Sequence, residues 1–171
     1  MEAWDEINNY EGMGVMYKIG QKIVYPMLGA GTIQSIEKKE VLGKVNEYYT
    51  VKISFGEVVA SVPVQSAEEV GLRDLMQPDE VDKVIAFIRE YIPCDCLNWN
   101  KRYRENMNKL KSGNVYEIAE VAKALFIRDK EQGLSTGERK IFMNAKQIIL
   151  SEIMLVKELS LKEAEEIVIY F

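Results

Sequence analysis

The sequence predicts an α+β chain, a small β-barrel followed by a compact all-α helical bundle, on three features. Short period-2 runs fill the stretch from Tyr17 to Val64, the apolar period changes to a helical one after Pro78, and paired capping signals recur from there on. The first strand is carried by Ile19, Ile23 and Val24, whose branched side chains suit a pleated surface, and Pro26 closes it by removing a ladder donor. Gly29 and Gly31 allow a tight reversal before Thr32-Ile33-Gln34-Ser35-Ile36 resumes the alternation. A charged turn from Glu37 to Gly43 is expected next. Two more alternating runs follow, Glu47 to Ile53 and Glu57 to Val64.

The barrel is expected to end near Arg73. Pro78, followed by Asp79 and Glu80, opens a helix with proline in its first turn and two acids facing the positive end of the helix dipole. Val81, Val84, Ile85 and Ile88 line one face of it, and Pro93 with the Cys94-Asp95-Cys96 loop ends it. Further helix starts are Asn98, Asn114 with Glu117, Ser135 with Glu138, and Ser160 with Glu163; Gly113 and Gly133 supply stops. Leu110, Ile118, Val121, Leu125, Ile141, Ile148 and Ile149 are the expected core of a bundle of four or five helices. The chain therefore divides into an acidic leader at 1–15, a barrel at 16–75 and a helical domain at 76–171.

The 171 residues contain no histidine, which removes the commonest general base, the Ser-His and Cys-His nucleophile pairs and the commonest zinc ligand together. No phosphate-cradling glycine motif and no distinct carboxylate pair is present, so the sequence argues against an enzyme and calls for no cofactor and no metal. The Cys94 and Cys96 thiols are too close for a relaxed disulfide and are expected to stay reduced. There is no apolar run long enough to span a membrane and no basic, signal-like N-terminus, which makes the cytoplasm the expected location. The formal net charge of -5 is unevenly spread. Glu2, Asp5, Glu6 and Glu11 supply -4 of it within residues 1–15, whereas Asn98 to Lys111 carries Lys101, Arg102, Arg104, Lys109 and Lys111 against Glu105 alone. That local excess matters more to a phosphate backbone than the global sum.

Trp99 stands at the first turn of this basic helix between two asparagines. An indole projecting there could act as a wedge at a base step in the minor groove while Lys101, Arg102 and Arg104 hold phosphates. Such a wedge favours duplex that is already opening. The alternative is packing, with Trp99 lying against Tyr103 four residues on, or against the Pro93 loop, and the charges forming a wet helix face.

Four ordered motifs in the first half, Gly20 to Pro26 (GQKIVYP), Gly29 to Ile33 (GAGTI), Tyr48 to Ile53 (YYTVKI) and Val62 to Arg73 (VPV…GLR), resemble those of the CarD/CdnL family of bacterial transcription regulators. The likeness runs from Met16 to Ile153. It implies a Tudor-like, SH3-like barrel that binds the β subunit of RNA polymerase, with contacts at positions matching Lys39 and Ser61. Ser61 departs from the basic residue frequent there, and Met27-Leu28 replaces a segment that often holds a histidine. The family motif N-W-x-(R/K)-R-Y matches Asn98 to Tyr103, which implies that Trp99 is the wedge at the upstream edge of the promoter bubble. Arg104, Arg139 and Lys140 match further basic DNA-contacting positions. The expected protein is a monomer when free that is tethered by polymerase and stabilises the open promoter complex without strong sequence specificity. The rival reading is a protein-protein adapter without DNA contact; a histidine-free enzyme is a distant third.

Overall fold

A computed structural model describes residues 17–94 and 98–168, so the expectations for the acidic leader and for Cys96 lie outside the described residues. Five strands, β1 (Lys22–Tyr25), β2 (Gly29–Val41), β3 (Lys44–Ile53), β4 (Val59–Pro63) and β5 (Arg73–Asp74), form one antiparallel sheet in the order β4-β3-β2-β1-β5. Tyr17, Ile23, Ile33, Tyr49, Val51, Ile53, Val62 and Leu72 belong to its apolar core. The described residues hold no second sheet to cover that face. Ile23, Ile33, Tyr49 and Val51 reach 0% exposure because the twisted sheet wraps around them and Tyr17, Val64, Ala67 and Leu72 from the flanking segments complete the cover, as in a small barrel. The Tyr17 hydroxyl donates to the Leu72 carbonyl at 2.9 Å and ties the entering chain to the approach to β5.

Three local expectations are corrected. The reversal after β1 is not made by Gly29 and Gly31: Tyr25 to Leu28 forms the turn, with Pro26 second, Met27 at φ 68 third, and a 3.1 Å bond from the Leu28 amide to the Tyr25 carbonyl. Gly31 lies inside the ladder, where an added Cβ would stand 2.5 Å from the Lys52 carbonyl oxygen. The charged stretch from Glu37 to Val41 is strand rather than turn, and the chain reverses only at Leu42-Gly43. Both of those residues have positive φ, as a two-residue hairpin turn of the right twist demands. β5 adds a two-residue strand beside β1, and Ile19, expected in the first strand, lies exposed outside it.

The helices are α1 (Pro78–Glu90), α2 (Trp99–Ser112), α3 (Val115–Gln132), α4 (Thr136–Lys157) and α5 (Leu161–Ile167). Each residue expected in their core is buried in one cluster with Val81, Val84 and Ile88. Asn98, Asn114, Ser135 and Ser160 all cap, the last two through reciprocal bonds with Glu138 and Glu163. Glu117 instead accepts from the Ser112 hydroxyl at 2.6 Å.

The sheet docks along α4. Gly29 passes so close to this helix that a Cβ would lie 2.5 Å from Ser151 Oγ, and the Ala30 amide donates to the same hydroxyl at 2.9 Å. Beside it Glu152, 0% exposed, accepts both Arg73 Nη1 (2.7 Å) and Nη2 (2.8 Å) and the Met76 amide (2.8 Å). Arg73 Nε donates to the Gly113 carbonyl at 3.0 Å, so one guanidinium joins β5, α4 and the α2–α3 turn. A buried fork of this kind fixes direction as well as proximity. α4 then continues, over a total length of about 33 Å at the usual helical rise, to the N-terminus at which α2 meets it.

Candidate nucleic-acid interface

α2 begins at Trp99 because Asn98 accepts the Lys101 amide at 3.0 Å, and α4 begins where Ser135 closes its capping box. These two helix starts abut. On α2, Trp99, Arg102, Tyr103, Asn106 and Leu110 follow the helical repeat and share the side turned toward α3 and α4, with Asn106 and Leu110 buried. Trp99 lies at the end of that stripe, beyond full cover, and is 47% exposed. One indole face stacks on Tyr103, with centroids 5.4 Å apart and planes at 26°. The ring nitrogen donates to Ser135 Oγ at 3.2 Å. Gly137 forms the floor, since a Cβ there would meet Tyr103 Cε2 at 3.2 Å and Trp99 Cζ2 at 3.9 Å. Packing on Tyr103 and partial exposure thus occur together.

Beneath the indole lies a carboxylate that the sequence marked only as a cap. Glu138, 2% exposed, accepts Arg102 Nη2 (2.7 Å) and Nε (3.0 Å) through Oε1, and the Ser135 hydroxyl (2.8 Å) and amide (3.1 Å) through Oε2. Arg128 of α3 approaches the same carboxylate at 3.5 Å. Burial pushes the Glu138 carboxyl upward, but the bonds from Ser135 and Arg102, with the Arg102 charge, outweigh it and hold the group below the ordinary glutamate range. Arg102 is consequently turned inward, its side chain only 13% exposed. A phosphate contact by Arg102, expected from the sequence, would therefore compete with Glu138 for the guanidinium.

Lys101 and Arg104 of α2 and Arg139 and Lys140 of α4 are exposed within the first two turns of these helices. Arg139 pairs with Asp129 at 3.2 Å, whereas Lys140 has no acidic partner among the described residues. The described residues contain no cluster of acids and thiols able to hold a metal, and none of their helices is long and apolar enough to cross a membrane.

Lys39 and Ser61 lie elsewhere, on the outer face of the sheet. Lys39 Nζ reaches across β3, 5.8 Å from the Tyr48 ring centroid, and donates to Ser61 Oγ at 3.0 Å, with Glu37 3.6 Å away. Two positions matched separately in the sequence are thus one contiguous patch on β2 and β4. The hairpin beyond it bears Val41, Leu42 and Val45, all exposed.

Residues 17–76 match the CarD-like/TRCF RID domain, and residues 83–169 match the CarD C-terminal domain. The chain belongs to the CarD family. It is also similar to a protein described as a putative transcription factor, YdeB, of Bacillus subtilis, at 31% identity over 148 residues, covering 86% of this chain and 97% of the relative. Membership makes this CarD-family protein a transcription factor of a group that interacts with RNA polymerase, and the matched domain at residues 17–76 is the one that implies the interaction. The family is one of regulators and corresponds to no enzyme class.

Proposed function

We propose that this protein binds the polymerase β subunit through the outer face of its sheet and stabilises the open promoter complex by stacking Trp99 on the upstream edge of the bubble. The observation that carries the reading is the state of the indole. One face rests on Tyr103, the nitrogen edge is bonded to Ser135, and nearly half the side chain is still exposed, which leaves the opposite face for a base. Its only donor is already used, so it stacks on any base and reads none. Lys101 and Arg104 on α2, Lys140 on α4 and, in competition with Asp129, Arg139 supply phosphate contacts from the first turns of the same two helices. Tethering to polymerase supplies the effective concentration that a chain of net charge -5 needs near DNA.

Photocrosslinking from 5-bromouracil placed base by base through a promoter tests this reading. Adducts to Trp99 at the upstream fork, and at no downstream position, are expected in the polymerase complex. Absence of adducts throughout, with polymerase still bound, favours the adapter.

A further inference from the structure

We infer that Ser135 is a positioning residue for Trp99, and that the start of α4 is a cradle holding the indole in its stacking pose before DNA arrives. The inference rests on the reading of Trp99 given above. A serine hydroxyl has one proton to donate and two lone pairs. At Ser135 the proton goes to Glu138 Oε2 at 2.8 Å, and the lone pairs receive the Glu138 amide at 3.3 Å and the Trp99 ring nitrogen at 3.2 Å. Every valence of the hydroxyl is therefore assigned, and the assignment has a direction. Glu138 is a charged acceptor held ionised by Arg102, so it takes the proton, and the lone pair is what the indole meets.

The remaining degrees of freedom of the ring are closed by its neighbours. Tyr103 supports one face, and Gly137 leaves room for the Tyr103 ring, from which a Cβ would stand only 3.2 Å away. A half-exposed tryptophan on a first helical turn would otherwise sample several rotamers, and ordering it would oppose each stacking event. The cradle has met that requirement in advance, which is preorganisation in its ordinary sense. Arg102 contributes at one remove, by fixing the carboxylate that fixes the hydroxyl.

The test uses the full chain with RNA polymerase and a linear promoter fragment, in a Trp4→Phe background so that Trp99 is the sole tryptophan. Ser135→Gly keeps an acceptable N-cap but has no hydroxyl. Ser135→Thr restores the hydroxyl. As a variant that leaves the cap untouched, benzothienylalanine at position 99 replaces the ring N–H by sulfur. Ser135→Gly and the benzothienyl side chain are each expected to shorten open-complex lifetime about fivefold, the equilibrium weight of one neutral hydrogen bond. Polymerase affinity should stay unchanged, Trp99 anisotropy of the free protein should fall in Ser135→Gly, and Ser135→Thr should recover both lifetime and anisotropy. Parental lifetimes in both Ser135→Gly and the benzothienyl protein, while Trp99→Ala shortens the lifetime, would overturn the role of Ser135 and leave the function standing. A parental lifetime in Trp99→Ala would overturn the function itself.

Discussion

Replacing Glu152 by Ala should uncouple the sheet from the bundle and cost about 2 to 4 kcal/mol of stability. Removing one member of a buried ion pair typically costs about 3 to 5 kcal/mol, because the other charge is left without compensation. The lower figure applies here because the Arg73 side chain is 29% exposed and retains its bonds to the Gly113 and Asp74 carbonyls. The Met76 amide, which donates to Glu152 at 2.8 Å, loses its acceptor as well. Glu152→Gln keeps one acceptor oxygen, enough for Arg73 Nη1 and the Met76 amide, but turns an NH2 donor toward Arg73 Nη2, so it should recover only part of the loss. Urea unfolding followed by far-ultraviolet circular dichroism and by Trp99 fluorescence, again with Trp4→Phe, checks this. The parent should give coincident transitions and the Ala variant two separable ones. Polymerase affinity should survive while open-complex lifetime falls, because the sheet is intact but α4 no longer aims the Trp99 junction. A loss below about 1 kcal/mol with coincident transitions would refute the reasoning, that being the level of an ordinary exposed pair.

Lys39→Glu should weaken binding to the isolated β lobe while leaving the melting temperature unchanged, as the side chain lies on the outer sheet face; equal affinities by calorimetry at low salt would contradict the assignment of that patch. Lys140→Ala and Arg104→Ala should each flatten the log-log salt dependence of fork-DNA binding by about 0.9, and Arg139→Ala by less because Asp129 already competes for that charge. Glu138 has a folded pKa below its ordinary value of 4.5, so its contribution is complete above that pH and is lost as pH falls through the folded value. The melting-temperature gap between the parent and Glu138→Gln should therefore be widest near neutrality and close in acid; a gap independent of pH would show that the carboxylate is not held ionised.

The parts of this fold legible in the sequence are those decided within a few residues. Ser135 with Glu138 and Ser160 with Glu163 announced their helices because a capping box is closed by its own chain, and the period of Val81, Val84, Ile85 and Ile88 identified a buried face. The extent of β2 was not legible. Glu37-Lys38-Lys39-Glu40 looks like a turn because the hairpin runs beyond the barrel core there, where no burial imposes an alternation. β5 is two residues long and exists only through its pairing with β1. Arg102 and Lys101 look alike in a basic run, yet one helical repeat from Asn106 and two from Leu110 would have turned Arg102 inward. Glu152 left a clearer sign, as a carboxylate inside the apolar stretch from Ile148 to Leu155, but its partner Arg73 is 79 residues away and no local pattern names it.

The central claim is that Trp99 acts on DNA and contributes little to the protein's own packing. Its most direct test is the decay of competitor-resistant open complexes with Trp99→Ala, measured beside the melting temperature of the free protein. A core tryptophan truncated to Ala typically costs about 3 to 5 kcal/mol, whereas an indole that is 47% exposed should cost much less. A small drop in melting temperature, unchanged polymerase binding and a large loss of open-complex lifetime are expected. A large drop in melting temperature, with lifetime following only the fraction folded, would contradict it.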